Sequence, residues 1–136
     1  MLVDAGPLVA LFDPKDRHHR ASRMIFERLG EDLLTTVPVV TEVSHILGPT
    51  TPGFHRIMDL FASGRLQIDY LSDAALARAC ELMKQYSDQS MDLADASLAA
   101  VAEERGTTRI WTFDERDFSV FRIRRGHGFA AFEIVR

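Results

Sequence analysis

The sequence predicts an α/β fold in which a parallel sheet of five strands is covered on both faces by helices. Short apolar runs alternate along the chain with longer segments whose apolar residues recur at helical spacing. Strands that alternate with helices in this way form parallel sheets through right-handed crossovers. With 136 residues, 46% hydrophobic and 26% charged, and with no repeat or linker, the chain is expected to be one domain over residues 1–136.

The first half of the chain predicts two strands and three helices. Proline is favoured in the first turn of a helix, and glycine often follows the last turn. Val39, Val40, Val43 and Leu47 supply the apolar face of the third helix. The predicted elements are a strand at 1–4, a helix beginning near Pro7, a helix at 21–29 that stops at Gly30, a strand at 33–36, and a helix that opens at Val37.

The second half predicts three more strands and three more helices. Ser72 is a suitable N-cap, and Gly106 suits the position that ends a helix. The predicted elements are a helix at 57–62, a strand at 66–71, a helix from Ser72 to about Tyr86, an alanine-rich helix at 92–105, a strand at 108–113 and a fifth strand at 130–135. In such sheets, ligands bind beyond the carboxyl ends of the strands.

Cysteine usage and hydropathy restrict the class of protein. Cys80 is the only cysteine, so no intrachain disulfide can form, and its spacing with Leu76, Ala79 and Met83 predicts a buried, inert thiol. No apolar stretch approaches the roughly 20 residues that a membrane span requires. Because the first apolar run begins at Leu2 with no basic lead, we expect a soluble, cytoplasmic protein without a membrane partner.

Acidic residues follow the predicted strands and open the predicted helices. Asp4 follows the first strand, and Asp114 follows the fourth. Glu42 lies in the first turns of the third helix, and Asp95 lies in the first turn of the alanine-rich helix. Each has an ordinary structural explanation, as a turn residue, a helix former or a complement to the helix dipole. The last of these explanations is favoured for Asp92.

Carboxylates from separate segments that meet at one sheet edge call for a cation. Crowded carboxylates raise one another's pKa, so their charged forms are unstable without positive charge nearby. Oxygen ligands without His or Cys select Mg²⁺ or Mn²⁺ over zinc. Such ions promote phosphodiester hydrolysis. The net charge of −4 argues against nucleic-acid binding, but the argument weakens if several acids are gathered in a metal site.

Four stretches carry a resemblance to a known family. They are LVDAGPLVALFD, TTVPVVTEV, MDLADASLAA and RIWTFDERDF, and together they span nearly the whole chain. In this order they resemble the PIN-domain nucleases, in particular the VapC-type toxins of toxin–antitoxin pairs. The resemblance implies a three-layer α/β/α sandwich with a central five-stranded parallel sheet. It also implies an endoribonuclease that uses Mg²⁺ or Mn²⁺ and leaves a 5′-phosphate and a 3′-hydroxyl.

The resemblance implies roles for individual residues. The family's acidic quartet falls on Asp4, Glu42, Asp95 and Asp114, with the three aspartates on the metal and Glu42 on a second ion or the attacking water. Thr112 occupies a position where a small hydroxyl residue orients a carboxylate or a water. The auxiliary candidates are Asp92 and Asp117. The candidates for RNA phosphate contacts, whose alternative explanation is a solvated loop, are Arg116, Arg122, Arg124 and Arg125.

Other interpretations of the sequence are open at this stage. A haloacid-dehalogenase-type phosphatase would require an acid where Gly6 stands, and a receiver-like domain would require a lysine near the last strand. The PIN fold also serves in RNA processing, or as a binding module with little activity. The adjacent His18 and His19 point in different directions from a helix and lack a third ligand, so a solvated helix start is favoured over a metal site. A toxin implies RNA as substrate, a cognate antitoxin and a homodimer.

Overall fold

The computed structural model describes residues 1–136 as an α/β structure of seven strands and seven helices. The strands are β1 (Leu2–Val3), β2 (Leu33–Thr36), β3 (Leu66–Asp69), β4 (Arg109–Trp111), β5 (Arg122–Arg125), β6 (Gly128–Ala131) and β7 (Glu133–Val135). The helices are α1 (Ala5–Phe12), α2 (His19–Arg28), α3 (Val37–Leu47), α4 (Pro52–Ala62), α5 (Asp73–Gln85), α6 (Leu93–Arg105) and α7 (Glu115–Val120). A short 3₁₀ turn at Ser87–Gln89 leads from α5 towards α6.

Five of the strands form one sheet in the order β3-β2-β1-β4-β7, and every neighbouring pair is parallel. The strands β5 and β6 form a separate antiparallel hairpin. On one side, α1 packs against α2, α3 and α4, whereas α5 packs against α6. The prediction of a three-layer sandwich around a five-stranded parallel sheet is confirmed.

The strand order reverses next to β1. From β1 the chain proceeds outward to β2 and β3, then returns past β1 to β4 and continues outward to β7. Right-handed crossovers therefore place α1–α4 on one face of the sheet and α5–α7 on the other. The crevice between β1 and β4 is a topological switch point, where ligands of open α/β sheets bind.

The core lies on both faces of the central strands. Leu2, Val3, Ile110 and Trp111 are all completely buried, which explains why β1 and β4 are continuous apolar runs rather than alternating ones. The alanine-rich helix α6 is buried from Ala96 to Ala102, because small side chains let it pack closely on the sheet and on α5. None of the seven helices combines the length and the hydropathy needed to cross a membrane.

Three helices begin earlier than the sequence predicts, and one of them is α2, which starts at His19 rather than at residue 21. The helix α1 starts at Ala5 rather than near Pro7, because Asp4 is its N-cap and accepts a hydrogen bond from the Ala5 N–H. The helix α4 starts at Pro52 rather than at residue 57, because the Thr51 hydroxyl accepts from the Phe54 N–H. At Gly53 a Cβ would lie 3.0 Å from the Phe12 carbonyl oxygen, so glycine permits the close contact of α4 with the end of α1.

The prediction of one strand over 130–135 is wrong in its boundaries. Residues 128–131 pair with β5 in the hairpin, and only Glu133–Val135 joins the main sheet beside β4. The left-handed backbone of Gly126 (φ 60°) lets the chain reverse between β5 and β6. Phe132, buried between β6 and β7, packs edge-on against Phe118 and separates the two strands.

The predicted burial pattern is also wrong on α5 and at the end of β3. The buried face of α5 is formed by Ala75, Ala79 and Leu82, so the Cys80 thiol is exposed rather than buried. The strand β3 ends at Asp69 instead of residue 71. Asp69 is buried because it pairs with Arg105, and Tyr70 is exposed. Leu66, Ile68 and Tyr70 alternate in the sequence with Gln67 and Asp69, a pattern that would expose Asp69 and bury Tyr70. The pairing of Asp69 with Arg105, from a distant segment, overrides it.

Candidate active site

Asp4 and Asp114 lie beside each other beyond the carboxyl ends of β1 and β4, which are neighbours in the sheet. Thr112 joins them. Its fully buried hydroxyl donates to Asp4 Oδ2 at 2.7 Å and accepts from the Asp114 N–H at 3.0 Å. The other Asp4 oxygen accepts from the Ala5 N–H at 2.6 Å. Thr112 therefore holds the Asp4 carboxylate and the Asp114 backbone in one orientation.

The helix α6 brings Asp92 and Asp95 to the same edge. Asp92 is the N-cap of α6, and its Oδ1 accepts from the Asp95 N–H at 3.0 Å. The carboxylates of Asp92 and Asp95 both interact electrostatically with Asp4, and Asp95 also with Asp114. The spacing in MDLADASLAA therefore places two acids at the mouth of the crevice, with the buried helix behind them.

Glu42 reaches the cluster from the opposite wall, on α3. Its carboxyl group interacts electrostatically with Asp4 and Asp92. A buried pair of hydroxyls sets the position of α3 relative to α6. Thr36, the residue before α3, contacts Ser97 on α6 with 2.6 Å between Oγ1 and Oγ, and the Ser97 hydroxyl donates to the Ala94 carbonyl at 2.7 Å.

Three of the acids cap helices that start at this edge. Asp4 caps α1, Asp92 caps α6 and Asp114 caps α7, each through one carboxylate oxygen bound to a backbone N–H. Helix N-termini carry partial positive charge, which favours anionic groups nearby. These three acids therefore have a structural role as helix caps, which leaves one oxygen of Asp92 and one of Asp114 without a partner in the protein.

Electrostatics at the cluster are unfavourable for so many negative charges. Burial, followed by the nearby Asp92 and Asp4, raises the pKa of Asp95 to about 8. Burial also raises the pKa of Asp4, against the opposing effect of its hydrogen bonds from Thr112 and Ala5. Partial burial together with Asp4 and Asp92 raises the pKa of Glu42. The cluster therefore favours the uptake of positive charge.

No lysine or arginine supplies that charge. Every ion pair of the protein lies elsewhere, and the acids of the cluster take part in none. No group of three or more His, Cys, Asp and Glu side chains converges closely enough to hold a metal ion by itself. The five acids of the cluster offer only carboxylate oxygens, the donor type that suits Mg²⁺ or Mn²⁺.

The remaining residues singled out by the sequence lie in different places. Asp117 is in the first turn of α7, where its N–H donates to Asp114 Oδ1. The Arg122 guanidinium donates to three carbonyls at the end of α7 and is occupied there. The Arg124 N–H donates to Glu103, eight residues beyond Asp95 on α6, which is about 12 Å along the helix. Arg116 and Arg125 are exposed.

Two features of the site are missing from the sequence predictions. The first is the contact between Thr36 and Ser97, which are 61 residues apart. The second is the stacking of the His18 ring on the Phe113 ring, with 4.5 Å between ring centroids. Phe113 is the residue between Thr112 and Asp114 in the chain. The polar Thr36 at the end of an apolar strand is the one sequence feature that points to the contact with Ser97. No sequence feature points to the stacking of His18 on Phe113.

Comparison with known proteins identifies the family. Residues 1–123 match the family model described as the PIN domain. Because this match covers most of the chain, the protein belongs to the PIN domain family. The resemblance inferred from the four sequence stretches is therefore confirmed.

Two of the proteins that this chain resembles are VapC proteins. Ribonuclease VapC26 of Mycobacterium tuberculosis is 26% identical over 125 residues, which are 90% of this chain and 92% of that protein. The crystal structure of VapC20 from the same organism, a sarcin-ricin loop cleaving toxin, matches with a TM-score of 0.77 at 17% identity, covering 85% of this chain and 91% of that one. A toxin–antitoxin complex from Klebsiella pneumoniae matches with a TM-score of 0.66 at 21% identity, covering 88% of this chain and 91% of that one.

Proposed function

We propose that this protein is a divalent-metal-dependent endoribonuclease, a single nuclease domain over residues 1–136 that acts as the toxin of a toxin–antitoxin pair. The observation that carries the proposal is the set of five carboxylates at the switch point, none of which has a cationic partner. The set comprises Asp4, Glu42, Asp92, Asp95 and Asp114. The similarity to Ribonuclease VapC26 supports RNA as the substrate.

The carboxylates divide the work of ion binding and water orientation. Asp4, Asp95 and Asp114 would hold Mg²⁺ or Mn²⁺ directly or through bound water, and Thr112 keeps the Asp4 carboxylate in one orientation. Glu42, on the opposite wall, orients the attacking water or helps to hold a second ion. The ion supplies charge stabilisation at the scissile phosphate and a lowered pKa for water. Asp92 and Asp117 act as auxiliary residues that shape the starts of α6 and α7.

The substrate is expected to be single-stranded or looped RNA, because unpaired nucleotides expose both their bases and their backbone. Arg116 is the best placed of the four sequence-predicted phosphate contacts. It is exposed in the first turn of α7, two residues after Asp114. Arg122 is engaged with carbonyl groups, and Arg124 and Arg125 lie on the hairpin strand beside the far end of α6.

Cleavage of a mixed RNA pool by the purified protein tests the nuclease directly. We expect cutting with Mg²⁺ or Mn²⁺, none with EDTA, and 5′-phosphate ends on the products. Asp4→Asn and Asp95→Asn keep the shape of the side chain and remove the charge. We expect each to lower the cleavage rate by more than about 100-fold. Replacement of a residue that only supports a metal ligand already costs about 10- to 100-fold in activity.

Asp59→Asn is the matched control, because Asp59 is an exposed acid on α4. It should cleave like the wild type. Intact RNA after incubation with folded, metal-loaded wild-type protein would reject the nuclease and favour a binding module.

The toxin assignment is tested by expression in a bacterium. We expect growth arrest that Asp4→Asn abolishes and that a neighbouring antitoxin gene product relieves. A groove beside the cluster, lined by Val37, Pro38 and Leu93 together with Glu42 and Asp92, suits a peptide with apolar residues and an arginine. RNA cleavage without growth arrest would instead identify an RNA-processing nuclease.

A homodimer is the remaining part of the proposal. It follows from membership of a family whose members usually pair through helices. Light scattering of the purified protein checks it, and a mass of one chain over the accessible concentration range would contradict it.

A further inference from the structure

A stacked pair of rings stands directly beside the carboxylate cluster. The His18 ring lies on the Phe113 ring with 4.5 Å between centroids and 29° between planes. Phe113 is the residue between Thr112 and Asp114, so the pair is attached to the same turn that orients the carboxylates. Both side chains are partly exposed. Part of the stacked pair is therefore accessible to solvent.

Two hydrogen bonds within the loop between α1 and α2 fix the backbone that leads to His18. The Asp13 carboxylate accepts from the Lys15 N–H at 2.9 Å, and the Asp16 carboxylate accepts from the His18 N–H at 2.7 Å. These two turns return the chain towards the sheet edge. His18 precedes α2 without capping it through its side chain, which leaves the ring free to stack.

The Phe113 ring, which lies beneath His18 in the stack, is held in place by α1. A Cβ on Gly6 would lie 3.3 Å from Phe113 Cδ2, so the aromatic ring rests against the backbone of the first turn of α1. The turn of α1 below the ring is the one that Asp4 caps. The stack and the carboxylates therefore share one rigid support.

Arg17 completes the arrangement with a positive charge. Its Nε donates to His18 Nε2 at 2.8 Å, which makes that nitrogen the acceptor and places the imidazole proton on Nδ1. Arg17 is exposed and forms no ion pair with an acid, so its two terminal nitrogens are available. By contrast, Arg78, Arg105 and Arg124 are each paired with acids.

We propose that Arg17, His18 and Phe113 form a nucleotide-binding subsite, in which an unpaired RNA base stacks on His18 and the adjoining phosphate contacts Arg17. The inference rests on the proposed function, because it gives the RNA a place beside the carboxylates. An aromatic face with a neighbouring free cation is how proteins hold single-stranded nucleic acid. In a protein with a net charge of −4, it also supplies the attraction for phosphate that the carboxylates lack.

Abasic substitution of the RNA tests the stacking. An unstructured RNA carries one abasic nucleotide at successive positions. Its affinity is measured with Mg²⁺ in the Asp4→Asn background, where cleavage is expected to be more than about 100-fold slower. We expect one position at which loss of the base weakens binding by about 5- to 150-fold, the range for stacking on an aromatic side chain. In Asp4→Asn/His18→Ala the RNA that has all its bases should bind as weakly as the abasic RNA binds to Asp4→Asn. Removal of the base at that position should then cause no further loss of affinity.

Two further variants separate stacking from folding. Asp4→Asn/His18→Phe keeps an aromatic face and should restore the sensitivity to the abasic position. Asp4→Asn/His127→Ala changes a histidine in the β5–β6 turn and should behave like the Asp4→Asn background. The inference would be overturned if the abasic nucleotide lowered the affinity equally with and without the His18 ring, or if no variant bound RNA.

Salt dependence tests the role of Arg17. Arg17→Gln should reduce the slope of log affinity against log salt by about 0.7, the value for one phosphate contact on a single strand. Arg28→Gln, an exposed arginine in the last turn of α2, is the control and should leave the slope unchanged. Equal slopes for both variants would remove Arg17 from the subsite.

The subsite and the nuclease can fail separately. Cleavage by the wild type without coupling between His18 and the abasic position would reject the subsite and leave the nuclease intact. Coupling without cleavage would retain the subsite and reject the nuclease.

Discussion

Asp4, Asp92 and Asp114 each serve the fold and the candidate chemistry at the same time. One oxygen of each carboxylate caps a helix through a backbone N–H. In Asp92 and Asp114 the second oxygen has no protein partner, and in Asp4 it accepts from Thr112. Because capping fixes each side chain against its own backbone, the carboxylates keep their positions despite their mutual repulsion.

Thr112→Val tests the orientation of Asp4. The substitution keeps the shape of the side chain and removes the hydroxyl that Asp4 and the Asp114 N–H share. We expect a loss of about 1–3 kcal/mol in the free energy of unfolding, because buried polar groups lose a partner. Cleavage should fall about 10- to 100-fold. Thr112→Ser, which retains the hydroxyl, is the control, and equal cleavage by the Val and Ser variants would contradict the orienting role.

Asp95 makes the metal-free protein less stable as pH rises. Its pKa is about 8 in the folded protein against an ordinary value of 3.8, so between these pH values the folded state binds more protons than the unfolded state. Stability therefore falls across this window. The raised pKa values of Asp4 and Glu42 act in the same direction.

Thermal melts in EDTA from about pH 5 to pH 9 measure this effect. The melting temperature should fall more steeply with rising pH in the wild type than in Asp95→Asn, because the amide of asparagine does not ionise. The Asp59→Asn control should follow the wild type. Parallel curves for the wild type and Asp95→Asn would show that Asp95 titrates at its ordinary pKa.

At the scale of elements, α6 and α3 decide the width of the crevice. The helix α6 carries Asp95 and is buried along most of its length, whereas α3 carries Glu42 on the opposite wall. The contact between Thr36 and Ser97 joins the start of α3 to α6 without any exposure to solvent. The distance between the two acidic walls therefore depends on a buried pair of hydroxyls.

A double-mutant cycle tests this pair. Ser97→Ala leaves the Thr36 hydroxyl buried without its partner and should cost about 1–3 kcal/mol of stability. The double variant Thr36→Val/Ser97→Ala should be more stable than the sum of the single effects predicts, by about 0.5 kcal/mol or more. Chemical denaturation gives these values. Thr36→Val combined with Ser63→Ala, an exposed residue on a different element, should be additive.

At the scale of the whole molecule, charge is divided between distinct regions. Acids without cationic partners gather at the crevice, and many arginines are paired with acids on the remaining surface, as in the Arg78–Glu103 and Arg105–Asp69 pairs. A net charge of −4 therefore describes neither region. A cation at the crevice would relieve the repulsion and raise the stability of the entire fold.

Addition of a divalent ion should therefore raise the melting temperature. At an ion concentration of about 100 times the Kd, binding to the folded state adds about 2.7 kcal/mol, on the order of 10 °C for a chain of this size. EDTA should reverse the shift, and Asp4→Asn/Asp95→Asn should show little of it. An equal shift in that double variant would place the ion elsewhere.

Much of the fold could be predicted because its information is local. Apolar runs predict the strands, and helical spacing with caps such as Ser72 and Gly106 predicts the helices. The sequence does not predict the short helix α7, since six residues are too few for a clear helical period, nor does it predict the β5–β6 hairpin. The burial of Asp69 and the exposure of Cys80 depend on which neighbours pack against them, and no local pattern contains that information.

The sequence by itself determined the order of the helices α1–α6 and of the strands β1–β4, and which acids follow or open them. Those features depend on residues close together in the chain, where periodicity and capping act. Only the tertiary structure decided that Asp4 and Asp114 share the Thr112 hydroxyl, that Thr36 meets Ser97, and that His18 stacks on Phe113. These contacts join residues far apart in sequence, and they form because the reversal of strand order beside β1 brings the ends of separate elements to one crevice.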